Sequence, residues 1–438
     1  MIEELKSRVK STLKKNRIVF FYTKKTYIFI RSLYVYILSY VVQCFHYVEL
    51  LKAKRKYSRG EKIKVGFLII NESIWKYEGL YRLLASSKYF EPIVYVCPYT
   101  VQSEKKYITY MDELYERMTD KGYFCVNTRL NDGTYLDLKK EKLSFLFLSS
   151  PWGLTLKKYL VGSLKFNLIC YVHYGFQTSS LFRESYNMDL MNLCWRYFVS
   201  SEQDIENSKK HSMTGARNLV VTGYPGLDQI IFPINKKPSS ALNDKKVIIW
   251  APHHTIDGAE NILHYATFLK YFDYFLELSE KYKDEIVFVF KPHPVLLTKL
   301  YKVWGEKRTN KYYSKWNSIE NRLIVEGDYI NLFHTSTALI HDSGSFVAEY
   351  LATKKPAMFL INDESVKEEF NSIGREAIEA HYQGYNRDDI DDFIKNVILD
   401  DNDFMQKKRN EFFDKYLLPP NKKTASKNIF DYIVEKLE

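Results

Sequence analysis

The chain of 438 residues lacks the short motifs that identify several enzyme classes. It contains no G-x-x-x-x-G-K-[ST] phosphate loop, no G-x-G-x-x-G after the first predicted strand and no H-E-x-x-H pair of zinc ligands. P-loop nucleotide hydrolysis, Rossmann-type dinucleotide binding and zincin-type proteolysis are therefore not indicated.

Cysteine is also scarce. The five cysteines are scattered, odd in number and never spaced as C-x-x-C: Cys44, Cys97, Cys125, Cys170 and Cys194. Neither a disulfide framework nor a zinc ribbon is indicated, so we predict a reducing, cytoplasmic environment. A secretory signal is not predicted either, because no small-residue cleavage site follows the first apolar run.

The net charge of +11 is confined to the start of the chain. Residues 1 to 62 hold fifteen Lys and Arg against four acids, whereas the remainder holds 49 residues of each sign. A nucleic-acid-binding protein would carry its positive charge over the folded domains. The balanced remainder therefore argues against a basic binding protein for nucleic acid, and we predict no nucleic-acid partner.

The first segment, residues 1 to 61, combines basic patches with the uncharged aromatic-aliphatic stretch SLYVYILSYVVQCFHYV at residues 32 to 48. Seventeen residues with several polar members are at the lower limit for a membrane span. Basic side chains attract anionic lipid, and Tyr, Phe and Leu enter the headgroup boundary. We predict a helix pair on the inner face of the cell membrane, contacting anionic lipid through residues 1 to 60. The alternative is a helix packed on the adjoining domain with a solvated basic face.

From residue 62 onward, apolar runs of strand length alternate with amphipathic stretches of helix length. The runs in the first half are KIKVGFLII (62 to 70), PIVYVC (92 to 97), LSFLFLSS (143 to 150), FNLICYVHYG (166 to 175), RYFVSS (196 to 201) and NLVVTGYPG (218 to 226). After a polar linker at residues 235 to 246, they are VIIWAPHHT, IVFVFKPHP, RLIVEG, ALIHDSGS and PAMFLIN. Apolar runs separated by helices predict parallel sheets covered on both faces.

This pattern predicts an α/β protein with two doubly wound, Rossmann-like domains facing each other across a cleft. We place the first domain at residues 62 to 235, the second at 236 to 400 and a set of C-terminal helices at 401 to 438. A helix is predicted from about Ile262 to Tyr282, and the last helices are expected to return toward the first domain.

Several predicted strands end in histidine. His173, His253, His293 and His341 each follow an apolar run. Ligands of open α/β sheets bind outside the carboxyl ends of the strands, so these side chains are candidates for the site. A single such histidine is usually structural, but four of them favour a functional cluster.

The segment IHDSGSFVAEYL, residues 340 to 351, joins a predicted strand to a predicted helix. Gly344 and Ser345 lie at the helix start, where free N–H groups and the positive end of the dipole favour phosphate. The hydroxyls of Ser343 and Ser345 add donors, and Glu349, one turn further on, is suited to accept from ribose hydroxyls. Asp342 is also assigned to nucleotide binding. The alternative is that Asp342 or Ser343 simply caps the helix.

The neighbouring KPHP segment supports an anion site. It places Lys291 and His293 beside prolines that stiffen the loop, and we predict that this pair binds a diphosphate. We expect no tightly held metal, because adjacent residues such as His253 and His254 point apart. The acidic run at residues 387 to 392 is interpreted as the charged start of a helix.

Five segments give the chain its resemblance to a known family. VHYGFQTS (172 to 179), VTGYPGLDQI (221 to 230), IIWAPHHT (248 to 255), VFKPHP (289 to 294) and HDSGSFVAEYL occur in the order and approximate spacing of CDP-glycerol glycerophosphotransferases. The similarity covers roughly residues 165 to 365. It implies the GT-B fold and a place among teichoic-acid and capsule polymerases and primases.

The resemblance also implies a reaction. Members of the family transfer glycerol phosphate from CDP-glycerol to a hydroxyl of a membrane-anchored, lipid- or glycan-linked acceptor and release CMP. His173 matches the family's general base. His293, Ser343 and Ser345 match its phosphate-binding groups, and His293 is also expected to stabilise the leaving group.

The sequence departs from the family pattern at two places. Tyr174 separates His173 from Gly175, and His253-His254-Thr255 replaces a Thr-Trp-Arg-like stretch. A GT-B glycosyltransferase that uses a CMP- or UDP-sugar for capsule or lipopolysaccharide synthesis is therefore the alternative. In either case we expect a nucleotide-activated donor and no tightly bound cofactor.

Overall fold

The computed structural model describes residues 17–233, 245–256, 264–325, 327 and 329–438. Within these residues the chain forms two parallel sheets. The first contains β1 (Ile63–Ile69), β2 (Phe90–Val96), β3 (Cys125–Asn127), β4 (Phe145–Leu148), β5 (Leu168–Val172), β6 (Arg196–Val199) and β7 (Leu219–Val221). The second contains β8 (Lys246–Ala251), β9 (Ile286–Phe290), β10 (Arg322–Ile324), β11 (Ala338–His341), β12 (Ala357–Leu360) and β13 (Tyr382–Gly384).

Helices cover both sheets. Those up to the end of the first sheet are α1 (Arg17–Ser58), α2 (Glu78–Ser86), α3 (Glu104–Asp120), α4 (Val161–Leu164), α5 (Phe182–Tyr186), α6 (Asp189–Leu193), α7 (Glu202–His211) and α8 (Asp228–Ile231). The others are α9 (Phe268–Lys281), α10 (Leu296–Trp304), α11 (Glu306–Lys315), α12 (Ile330–Thr335), α13 (Phe346–Glu349), α14 (Ser372–Glu379), α15 (Arg387–Asp392), α16 (Gln406–Phe412) and α17 (Ala425–Leu437).

The apolar composition of the strands explains this layered arrangement. Residues of β4, β5 and β9 are buried throughout, so each of these strands is covered on both faces. The predicted runs all contain strands of the sheets. Among the described strands, β3 and β13 were missed, because their sequences CVN and YQG are not part of an apolar run.

The strand order locates a ligand-binding position in each sheet. The first sheet has the order β3-β2-β1-β4-β5-β6-β7 and the second has β10-β9-β8-β11-β12-β13. The order reverses direction between β1 and β4 and again between β8 and β11. These are the topological switch points, where open α/β sheets bind ligands at the carboxyl ends of the strands.

The predicted domain border between residues 235 and 236 lies outside the described residues. The predicted helix from Ile262 begins instead at Phe268. Thr267, immediately before it, is held by the carboxylate of Asp342, and this long-range contact fixes a start that the apolar pattern alone did not mark.

The helix pair predicted for residues 1 to 61 lies partly outside the described residues. Over the described residues α1 is one continuous helix of 42 residues, and its sequence contains no glycine or proline that would break it. One face packs on the first domain through Val35, Val42 and His46, whose Nε2 lies 2.9 Å from the Lys165 carbonyl oxygen. Its stretch Phe29–Ser58 is long and apolar enough to cross a membrane.

The last helix returns to the first domain, as expected. Asp228, at the start of α8, accepts hydrogen bonds from the backbone N–H groups of Ala425 (2.6 Å) and Ser426 (2.9 Å) at the start of α17. Asn428 donates to the Thr222 carbonyl at 3.0 Å. The second half of the chain is thereby attached to the first at a point far from the linker.

We expect the substitution Asp228→Ala to destabilise the fold by about 1–3 kcal/mol, because it leaves buried N–H groups at the start of α17 without an acceptor. Urea unfolding followed by circular dichroism measures the change. Asp132→Ala, at an exposed turn, is the matched control. Equal unfolding midpoints for the two variants would contradict this role of Asp228.

Candidate active site

Three loops of the second domain converge at its switch point. The His253 N–H donates to Asp342 Oδ1 at 2.5 Å, which joins the loop after β8 to the loop after β11. The His293 N–H donates to the Pro252 carbonyl at 3.3 Å, which adds the loop after β9. The predicted strand-end residues of this domain therefore lie together.

Asp342 itself is placed differently from the prediction. Its side chain is fully buried, and its second oxygen accepts from the backbone and hydroxyl of Thr267. Burial raises its pKa to about 6. We predicted a nucleotide ligand, but the structure shows a carboxylate that fixes the positions of the His253 loop and the start of α9.

The histidines form a compact cluster. Nitrogen atoms of His253, His254 and His293 all lie within 4.8 Å of one another, and the rings of His253 and His254 are 4.3 Å apart. The expectation that these two side chains point apart is wrong. The cluster is partly exposed, so a ligand can reach it.

Two imidazoles of the cluster, those of His253 and His293, are held in their neutral form. Burial lowers the pKa of His253 well below its ordinary value, and the nearby His254 and His293 lower it further. Burial likewise lowers the pKa of His293 to about 3, with His254 and Lys291 contributing. His293 Nδ1 accepts from the Val295 N–H at 3.2 Å, so its own proton is on Nε2, available for donation.

The Ser343-Gly344-Ser345 turn follows β11 and leads into α13, as predicted. All three residues are partly exposed. A side chain at Gly344 would collide with Tyr265, since its Cβ would lie 2.8 Å from a ring carbon. The glycine is therefore required by close packing in the second domain.

A pair of buried histidines beneath this turn orients it. The Ser343 N–H donates to His341 Nδ1 at 3.1 Å, and His341 Nε2 lies 3.2 Å from His381 Nε2. His381 Nδ1 is 2.7 Å from the Ala377 carbonyl and must donate to it. One set of neutral tautomers satisfies the whole chain, so His341, another strand-end candidate, positions the turn rather than contacting a ligand.

Two further predicted ligands are engaged elsewhere. Lys291 is buried, and its ammonium group donates to the Gly327 carbonyl at 3.1 Å, which fixes the loop before α12. Glu349 is also buried and accepts from the Tyr329 hydroxyl at 2.5 Å and the Phe176 N–H at 3.4 Å. The structure thus corrects the roles of both: Lys291 supports a loop, and Glu349 links the two domains.

His173 lies in the first domain, directly after β5. Its Nδ1 lies 2.8 Å from the Gly175 carbonyl oxygen and 3.3 Å from the Gly175 backbone nitrogen. A proton on Nδ1 satisfies the shorter contact and leaves the lone pair on Nε2. Its ring stacks on Tyr174 at 4.5 Å between centroids. Burial lowers the pKa of His173 to about 4, so the ring is neutral near pH 7.

The loop that carries His173 contacts the second domain directly. Thr178 Oγ1 donates to the Gly344 carbonyl at 2.7 Å, and the Thr178 carbonyl accepts from the Asn371 N–H at 2.8 Å. Gln177 accepts from the Asn371 side chain at 3.0 Å. The loop after β5 is therefore anchored against the serine turn after β11.

Sequence reasoning missed two contributors to this site, Thr178 and Tyr265. His254 was a strand-end candidate together with His253. Thr178 and Tyr265 lie outside strand ends, and each meets Gly344 from a distant part of the chain. No local pattern signals such contacts.

The donor atoms of the histidine cluster are of a type that also binds zinc or other transition metals. We nevertheless predict that the cluster binds an anion. The described residues contain one such group of potential metal ligands.

Comparison with known structures identifies the fold. A variant of the wall teichoic acid polymerase TagF aligns with a TM-score of 0.58 and 15% identity over 92% of this chain and 98% of that chain. Another structure of that protein was soaked with CDPG. UDP-GlcNAc 2-epimerase from Neisseria meningitidis bound to UDP-GlcNAc aligns with a TM-score of 0.53 and 16% identity over 85% and 100%. The UDP complex of S. aureus MnaA gives 0.52 and 18% over 86% and 97%.

These similarities confirm the GT-B-like α/β fold. A comparison with curated protein sequences gives no match. A family model, in contrast, matches residues 100–435. This range includes the loops after β4, β5, β8, β9 and β11 and most of the returning helix α17. The chain belongs to the CDP-glycerol:poly(glycerophosphate) glycerophosphotransferase family.

Proposed function

We propose that this glycerophosphotransferase moves glycerol phosphate from CDP-glycerol to a hydroxyl of a membrane-linked acceptor and releases CMP. The product would be a teichoic-acid-like or capsular polymer. One observation carries the proposal: the loop of His173 is anchored through Thr178 on the serine turn of the second domain. A base from one domain and anion-binding groups from the other therefore belong to one site.

The chemistry follows from these groups. His173 Nε2 takes the proton of the acceptor hydroxyl, while the hydroxyl oxygen bonds to the phosphorus that carries glycerol. The anhydride bond to CMP breaks, and negative charge develops on the departing phosphate. His253, His293 and the hydroxyls of Ser343 and Ser345 are placed to donate to that charge. Gly175 keeps the His173 ring in the tautomer that this step requires.

We propose further that the site works without a tightly held metal. Neutral imidazoles with N–H groups are suited to hydrogen-bond a diphosphate. Burial lowers the pKa values of His253 and His293, and an approaching anion would favour the protonated form of each ring.

Donor identity can be tested by thermal stability. We expect CDP-glycerol at 100 times its Kd to stabilise the protein by about 2.7 kcal/mol, which raises Tm by several degrees. UDP-N-acetylglucosamine, CMP-sugars and free glycerol 3-phosphate serve as comparisons in differential scanning fluorimetry. A larger shift with a sugar nucleotide than with CDP-glycerol would favour the alternative glycosyltransferase.

We also propose that α1 holds the enzyme on the inner face of the cell membrane. Its side away from the first domain exposes a row of apolar and aromatic side chains: Phe29, Ile30, Leu33, Tyr34, Ile37, Val41, Tyr47 and Val48. Basic residues at its C-terminal end add attraction to anionic lipid. Because the opposite side packs on the protein, the helix is suited to lie along the surface.

We expect the double substitution Leu33→Glu/Ile37→Glu to abolish sedimentation of the protein with phosphatidylglycerol vesicles, because it places two charges in the contact face. Leu269→Glu/Val303→Glu, at exposed positions of the second domain, is the matched control. Equal sedimentation of the two variants would contradict the membrane role of α1.

A further inference from the structure

A buried tyrosine joins the ends of two strands directly before the proposed base. Tyr77 precedes α2 and is only 1% exposed. Its hydroxyl donates to the Leu148 carbonyl at 2.7 Å and accepts from the Val172 N–H at 3.2 Å. These are the last residues of the neighbouring strands β4 and β5. His173 is the next residue after Val172, so the hydroxyl holds the backbone one residue before the imidazole.

The ring that carries this hydroxyl is itself held firmly. The Tyr77 centroid lies 5.5 Å from that of Phe67, 5.2 Å from Phe147 and 5.6 Å from Trp75. A large side chain packed in this way has one position in the core. Loss of its hydroxyl would remove a partner from a buried carbonyl and a buried N–H, which favours a shift of the strand ends that restores their hydrogen bonds. Such a shift would also move His173.

The other end of the His173 loop is held from the second domain. Asn371 is 1% exposed and caps α14, where its side-chain oxygen accepts from the Gly374 N–H at 2.9 Å. Its Nδ2 donates to the Gln177 carbonyl at 3.0 Å, and its backbone N–H donates to the Thr178 carbonyl at 2.8 Å. One side-chain amide therefore bonds to both domains, and the cap fixes the direction in which Nδ2 points.

The chain around Asn371 follows the same loop further. The Ser180 N–H donates to the Glu369 carbonyl at 2.8 Å. A Cβ at Gly374 would collide with the Thr178 carbonyl oxygen, so glycine is required for this close approach. The segment after the base is thus held by backbone contacts with the second domain, whereas the segment before it is held by Tyr77 of the first.

We propose that Tyr77 and Asn371 are positioning residues that hold the His173 imidazole at the acceptor hydroxyl from the two ends of its loop. The inference rests on the proposed function, because it takes His173 as the base. Both side chains contact the backbone on either side of the imidazole and therefore act through it. A misplacement of about 1 Å in such a group costs about 10²-fold in rate.

The substitution Tyr77→Phe removes only the hydroxyl. We expect kcat for CMP release to fall about 10- to 100-fold, while the Kd of CDP-glycerol stays within about twofold of the wild-type value. In the His173→Gln background the same substitution should change kcat less than about twofold, because no base is left to misplace. The matched control is Tyr81→Phe, which removes a buried hydroxyl that accepts from the Phe124 N–H at 2.7 Å and should keep wild-type kcat.

The substitution Asn371→Asp tests the other end of the loop. It keeps an oxygen to cap α14 but replaces Nδ2, which donates to Gln177, with a second oxygen. We expect kcat to fall about threefold to tenfold, the cost of one lost hydrogen bond, and again only where His173 is present. Asn386→Asp, at the cap of α15, is the matched control and should keep wild-type kcat.

The outcomes separate positioning from transfer. Equal losses of kcat in the wild-type and His173→Gln backgrounds would overturn the positioning roles while transfer by the wild type stands. Wild-type kcat in both Tyr77→Phe and Asn371→Asp would overturn them as well. If the wild type transfers nothing, the proposed function is overturned instead, and the positioning roles are decided by the NMR signal of the imidazole.

That signal is recorded on the full-length protein with isotope-labelled histidine, and the His173 peak is identified by its absence from the His173→Gln spectrum. The positioning roles require the peak to shift in Tyr77→Phe and in Asn371→Asp. It should stay in place in the two control variants. An unshifted His173 peak in both Tyr77→Phe and Asn371→Asp would overturn the inference.

Discussion

Replacing His173 with glutamine is expected to lower the transfer rate by about 10²- to 10⁴-fold, the usual contribution of a general base. The reason is that Nε2 carries the lone pair that accepts the hydroxyl proton, while Nδ1 is bonded to the Gly175 carbonyl. Glutamine retains a donor for that carbonyl but has no basic atom. CDP-glycerol should still bind, because the donor groups lie in the second domain.

The pH profile gives an independent test of this assignment. A base must be deprotonated to act, and burial lowers the pKa of His173 to about 4. The acid limb of kcat/KM should therefore lie well below the ordinary histidine value of about 6.5. Activity should be retained through the mildly acidic range and fall only as the pH approaches the lowered pKa.

The control is His211→Gln, a change at the end of α7, outside the residues assigned to the site. Transfer is measured as release of CMP in the presence of acceptor, and donor binding is measured separately by calorimetry. Wild-type turnover in the His173 variant would remove the general base from the mechanism. If the variant loses both donor binding and turnover, His173 is a structural residue.

The second large effect is expected at the histidine cluster. The substitutions His253→Ala and His293→Ala should each raise the Kd of CDP-glycerol about 10- to 100-fold, the cost of losing a hydrogen bond to a charged phosphate. The double variant should lose more than the sum of the single effects, because the rings lie 5.3 Å apart and face one ligand.

Donor binding should also depend on pH in a defined direction. In the empty site, burial and the neighbouring imidazoles lower the pKa values of His253 and His293. A bound diphosphate raises them again, so the complex holds more protons than the free enzyme and binding tightens as the pH falls. Calorimetry from about pH 8 to about pH 6 measures the accompanying proton uptake.

Two controls accompany these titrations. His211→Ala leaves the cluster intact and should bind CDP-glycerol like wild type. Addition of EDTA should leave the wild-type Kd unchanged, whereas a loss of binding would mean that the three imidazoles hold a metal ion. Unaltered donor affinity in both His253→Ala and His293→Ala would remove the cluster from the donor site.

Much of the fold follows from the sequence because its signals are local. Long apolar runs such as that of β1, buried on both faces, predict parallel strands, and the helices between them predict the doubly wound order. The absence of glycine and proline from residues 17 to 58 also agrees with the unbroken helix that the structure shows there.

The site was predicted less fully, because the roles of strand-end residues depend on distant partners. The sequence places Asp342, Lys291 and Glu349 at the correct edge of the sheet. It does not show that Asp342 is bonded to Thr267, Lys291 to Gly327 and Glu349 to Tyr329. These contacts join residues that lie between 20 and 75 positions apart in the chain, where no periodic pattern applies.

Phosphorus NMR provides the most direct test of the central claim that groups from both domains transfer glycerol phosphate from CDP-glycerol. The protein is mixed with CDP-glycerol and, as acceptor, a dimer of glycerol phosphate carried on an octyl chain, and the spectrum is followed over time. We predict that the diphosphate signals disappear while CMP and a new phosphodiester appear at equal rates, and that the His173→Gln variant shows neither product. Intact CDP-glycerol in the presence of acceptor and wild-type enzyme, or equal rates for both proteins, would contradict the account.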